Sequence, residues 1–121
     1  MSDIRANTIS DAAGTGPITL TKQSASKAWS FHNHDGTNYD SVNVSSVTDV
    51  SVGLTRLTWT NAFSNANYAC AGAHDDGSGS DESRMAGFHS KSTTVVSEYI
   101  YTSSGSLSDQ PRSGVFHGDL A

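Results

Sequence analysis

Residues 26–69 read SKAWSFHNHDGTNYDSVNVSSVTDVSVGLTRLTWTNAFSNANYA, and the fold is decided there. In Ala28-Trp29-Ser30-Phe31 the two aromatics stand at i and i+2, so a strand would put both on one face. His34-Asp35-Gly36-Thr37-Asn38 is turn chemistry. It is followed by a second alternating run, Asp40–Ser45, and a third, Thr55–Thr60, in which Leu57 and Trp59 share a face. Tyr68 and Cys70 repeat the pattern.

Outward from this stretch the same grammar continues. Met85–His89 and Val95–Tyr101 read as a strand pair around Lys91-Ser92, and Val115–His117 as the last strand. About seven or eight short strands at roughly ten-residue spacing predict an all-β, antiparallel β-sandwich or jelly-roll-like domain over 24–121. No segment holds helical periodicity over three turns; Asn61–Ala66 admits one helical turn at most. Trp29 and Trp59 are expected in the core. Residues 1–23 have no period and a Gly14-Thr15-Gly16-Pro17 break, and a segment of this kind does not bury enough apolar surface to fold alone.

Composition agrees. Of 121 residues, 35% are hydrophobic and 16% charged, which suits short strands and tight turns better than helices. A chain of this length buries roughly two thirds of its unfolded surface, enough for one modest core. Seven basic against twelve acidic residues give a net charge of −5, and the basic ones are scattered singly. Nucleic acid is therefore not an expected partner, because counterion release from phosphates needs a basic cluster. No apolar run reaches the roughly 18 residues of a membrane span, and the N-terminal stretch lacks a secretory h-region. Membrane insertion is not expected, and synthesis in the cytoplasm is. A lone cysteine, Cys70, excludes an internal disulfide and reads as a small buried hydrophobe.

The wording of 26–69 resembles the C-terminal modules of bacteriophage and prophage tail-fibre, head-fibre and other virion-appendage proteins. Lys27-Ala28-Trp29, Phe31, Asn43-Val44-Ser45-Ser46-Val47-Thr48-Asp49 and Asn67-Tyr68-Ala69 carry the resemblance. A head, Ile4 to Gly16, and a tail, Val115-Phe116-His117-Gly118-Asp119-Leu120-Ala121, match as well, leaving about 72–101 poorly matched. The resemblance implies a virion location, a homotrimer, and an extended N-terminal anchor peptide over 1–23. Ile4, Arg5 and Ile9 would attach that peptide to other virion proteins. The function it implies is a fibre or spike knob that binds the host cell surface; a capsid or tail decoration protein without receptor binding is the alternative.

Candidate chemistry is sparse, and neither enzymatic activity nor a cofactor is expected. Asp35, Asp40, Asp75, Asp76, Asp81 and Glu98 are available as carboxylates, but no spacing pairs them for glycoside hydrolysis, and no Gly-x-Ser-x-Gly elbow is present. His32 and His34, two apart, would share a strand face and are weak metal candidates; polar surface of a turn is the plainer reading. The family pattern there is Asn-Gly-Thr, so no ligand role is carried over. His74-Asp75-Asp76 with Asp81-Glu82 forms an acidic Gly/Ser loop, with donors for calcium but no helix-loop-helix spacing. Its better use is recognition, since variable loops on a rigid scaffold hold specificity. Tyr39, Tyr99 and Tyr101 flank loops and could stack on sugar rings, making a host-surface glycan a candidate partner. The expected binding residues are therefore Tyr39, His74, Asp75, Asp76, Asp81, Tyr99 and Tyr101, with the 73–82 and 102–110 loops at the tip.

Overall fold

In the computed structural model, which describes residues 26–74 and 84–121, the chain forms eight strands and no helix among the described residues. They are β1 (Ala28–His32), β2 (Asn38–Val42), β3 (Val44–Ser51), β4 (Leu54–Trp59), β5 (Ala69–His74), β6 (Arg84–His89), β7 (Val95–Thr102) and β8 (Arg112–His117). Two four-stranded antiparallel sheets, β2-β1-β8-β5 and β3-β4-β7-β6, pack as a β-sandwich. The all-β expectation holds, and Asn61–Ala66 is not a helical turn: Phe63 there bridges Leu120.

Strand β1 alternates as the sequence says, with the opposite side inward. Ala28, Ser30 and His32 are fully buried, while Trp29 and Phe31 are half-buried on the outside of the sheet. Trp29 is therefore not a core residue. Trp59 is: it meets Phe63, Tyr68 and Phe116 edge-on at centroid distances of 5.5, 6.1 and 4.8 Å. Such aromatic contacts contribute beyond the area they bury.

The expected strand 40–45 is divided at Asn43, whose φ of 62° breaks the extended run. Asn tolerates this left-handed conformation better than most residues. Its side chain accepts from the Asn61 amide at 2.7 Å and donates to the Asn61 carbonyl at 3.0 Å. The chain thereby leaves one sheet after Val42 and starts the other at Val44, an edge-to-edge switch in one residue.

Because every strand is antiparallel to its neighbours, connections alternate between two poles. Ser26, Asn43, the 60–68 and 90–94 connections and 118–121 lie at one, the entry pole. The 33–37 turn, the 52–53 hairpin, the 103–111 connection, and His74 and Arg84 on either side of 75–83 lie at the other, the loop pole.

The core changes character between these poles. Towards the entry pole it is aromatic and aliphatic, with Phe63, Tyr68, Phe116, Trp59, Leu57 and Val96 in one cluster. Towards the loop pole it is polar. Glu98 reaches from β7 across the sandwich to the facing glycines of β5 and β8, Gly72 and Gly114. A Cβ on Gly72 would lie 2.7 Å from Glu98 Oε1, 2.8 Å from Phe88 Cζ and 3.0 Å from the Ser113 carbonyl oxygen. Gly72→Ala should accordingly destabilise the fold by about 1–3 kcal/mol through overpacking. A chemical-denaturation midpoint within error of the native protein would show that the sheet separation relaxes freely.

Candidate functional site

His32, Thr55, Glu98 and Arg112 are all fully buried beneath the loop pole. His32 Nε2 lies 3.0 Å from Thr55 Oγ1 and 3.7 Å from Glu98 Oε2. Arg112 donates from Nε to the Gln110 carbonyl at 3.1 Å, and from Nη1 to the Gly53 and Glu98 carbonyls at 2.9 and 3.2 Å. One guanidinium fork thus ties the β3–β4 hairpin, the interior of β7 and the end of the 103–111 connection. Asp109 adds to the brace, with Oδ1 accepting from the Gly53 amide and Oδ2 3.8 Å from His34 Nδ1.

Burial sets the protonation of this cluster. It pushes the Glu98 carboxyl up to about 7, against the opposing pull of the Arg112 cation. It lowers His32 to about 4, and there the Arg112 charge works in the same direction. The charged forms are disfavoured because low-dielectric surroundings replace water. At mildly acidic pH the interior therefore holds a neutral imidazole and a protonated carboxyl. None of the four side chains is open to a substrate; what the cluster does is hold the loops.

The surface above offers the recognition features. On the outer face of the β3-β4-β7-β6 sheet, Leu54, Tyr99 and Gly87 form one cross-strand row, and Leu107, Tyr101 and Met85 the next. The Tyr99 ring lies against the Gly87 backbone, in space that any Cβ would fill. Tyr99 and Tyr101 meet edge-on at 4.8 Å, and His89 lies beside Tyr99 at 5.2 Å. Met85 is 71% exposed, and Leu107 and the hairpin-tip Val52 are exposed beside this patch. Arg56 and His89, exposed on either side of the buried Ser97, make the polar row on its entry side. A fixed aromatic ring with an apolar border and polar neighbours suits a ligand with both apolar and hydroxyl-bearing faces.

Not all of the expected binding residues come together. Tyr99 and Tyr101 share this patch. Tyr39 is on the other sheet, 53% exposed and packed on Phe31 at 5.1 Å. His74 stands at the loop pole, paired in register with Arg112. Asp75, Asp76 and Asp81, and the attachment residues Ile4, Arg5 and Ile9 within the 1–23 segment, lie outside the described residues. His32 and His34 do not share a face, because β1 ends at His32 and the chain turns there: the first is interior, the second a partly exposed turn residue beside Asp109. Among the described residues no group of three or more His, Cys, Asp or Glu could hold a metal ion. Cys70 is half-buried against the core, and burial raises its thiol pKa.

Sequence reading did not find Met85, Leu107, Arg56 or His89 as neighbours of the tyrosines. The one available signal was Tyr99-Ile100-Tyr101, whose alternation puts both tyrosines on the side opposite the buried Ile100. Comparison with protein-family models, curated proteins and solved structures returns no match.

Proposed function

We propose that this chain is a virion appendage protein of a tailed phage or phage-like particle, a trimeric knob that meets the host surface with its loop pole. The observation that carries the reading is the separation of the two poles. Residues 1–25 join the sandwich at Ser26, at the entry pole. The braced loops and the Tyr99–Tyr101 patch stand towards the other end. Such a layout lets one end attach while the other is displayed. The wording of 26–69 and of the matched head and tail supports the same reading. Three linked copies would turn modest affinity per site into avidity.

The ligand class that suits the patch is a host-surface glycan, with a pyranose ring against Tyr99 and hydroxyls towards the exposed Arg56 and His89. Glycan-array binding of the purified protein tests this. Tyr99→Ala should weaken binding to the preferred glycan by about tenfold or more, the equivalent of roughly 1.4 kcal/mol. Failure of the native protein to bind any glycan or host cell would favour the decoration reading.

A further inference from the structure

The inverted polarity of β1 leaves an apolar surface on the sheet that does not hold the tyrosine patch. On the outer face of β2-β1-β8-β5, Val42, Trp29, Val115 and Ala71 form one row across all four strands. Val42 is 48% and Val115 40% exposed, and Ala71 is exposed too. The face has two unlike halves. Its β2–β1 half is built up by Trp29 and by the Phe31–Tyr39 ring pair. Its β8–β5 half is hollow: Ala71, Ala73, Gly72 and Gly114, with Ser113 and Val115, line a depression of about 250 Å³.

We infer that this face is where copies of the chain meet, the aromatic half of one copy seated over the alanine–glycine half of the next. The occupant is argued from shape and charge. A two-fold or three-fold axis parallel to the strands brings unlike halves together at every contact, so each knob finds a hollow on an identical chain. The same axis keeps all loop poles pointing one way. Charge agrees: the chain carries −5, yet this row and the next, Asp40, Phe31, Ser113 and Ala73, contain a single charged side chain, Asp40, at the β2 edge. Like-charged copies are best joined through a surface depleted of charge and enriched in aromatics, as interface centres are. A closed ring of identical contacts is the ordinary outcome of such a surface.

The inference deepens the appendage reading, of which self-association is one part, and its test is separable from ligand binding. Light-scattering mass of the purified protein should be a multiple of the 12.7 kDa chain. Val42→Lys and Ala71→Glu should each reduce it to one chain, because each puts an unpaired charge into the contact. The two positions lie three strands apart, roughly 14 Å, so they do not pair within one copy. They do face each other between copies, and the double variant V42K/A71E should recover the assembly. Met85→Glu, on the opposite sheet, should leave the mass unchanged. A native protein that is a single chain at about 100 µM, or single variants that keep the full mass, overturns the inference. So does a double variant that folds but stays a single chain. An assembly of two copies through this face upholds the surface and counts against the trimeric appendage.

Discussion

Replacing Arg112 by alanine should lower the unfolding free energy by about 3–5 kcal/mol, the usual cost of removing one member of a buried charged network. Three backbone carbonyls, of Gly53, Glu98 and Gln110, lose the guanidinium together, and the Gly53 carbonyl is left with the Ile100 amide as donor. The Glu98 carboxyl loses the Arg112 cation that holds its pKa down and is driven further towards its neutral form. Small domains have only about 5–15 kcal/mol of stability, so the variant should sit near the edge of folding at room temperature. Arg112→Lys should recover little, because a point charge cannot replace a fork that serves acceptors in three directions. Urea denaturation reads the effect directly. A loss below about 1 kcal/mol would mean that the fork is incidental and that the loops hold themselves.

The second large effect is a change in how stability depends on pH. Glu98, raised from 4.5 to about 7, contributes stability that is complete below pH 4.5 and is lost as pH rises through 7. His32, lowered from 6.5 to about 4, contributes stability that is complete above pH 6.5 and is lost as pH falls through 4. Between pH 4.5 and 6.5 the pair holds one proton in either state, on Glu98 when folded and on His32 when unfolded. The two slopes, each about 1.4 kcal/mol per pH unit, therefore cancel. His32→Gln should uncover the Glu98 slope, so the variant loses stability relative to the native protein by roughly 3 kcal/mol from pH 4.5 to 7. Glu98→Gln should uncover the reverse, a loss as pH falls from 6.5 to 4. Both side chains are fully buried, so solvent does not screen the effect. Parallel profiles for the native protein and both variants would contradict this assignment of protons.

Much of the fold was legible, because hydrophobic alternation and turn residues are local signals. Trp59 declared its strand and its inward side, and the turn after His32 fell where Asp35 and Gly36 stand. What was illegible came from exchanges between distant elements. Strand β1 presents Trp29 and Phe31 outward because His32 is committed inward to Glu98 and Arg112, which lie 66 and 80 residues further along the chain. Sequence alone reads Ala-x-Ser-x-His as a surface. Asn43 is one more polar letter in a polar strand until Asn61 is placed opposite it. Strand β5 hides its alternation because alanine and glycine look alike on both faces. The binding patch was half legible for the same reason: Tyr99 and Tyr101 show by alternation, but Met85 and Leu107 become their neighbours only through strand pairing.

The appendage account stands most directly on where the chain sits and which way it points. A reconstruction of purified particles from cells that make this protein would show both. The account predicts density for the sandwich on the particle, with Ser26 towards the particle body and the 33–37, 52–53 and 103–111 loops directed away from it. Particles that lack the chain, or that carry it with those loops pressed against the shell, would contradict it.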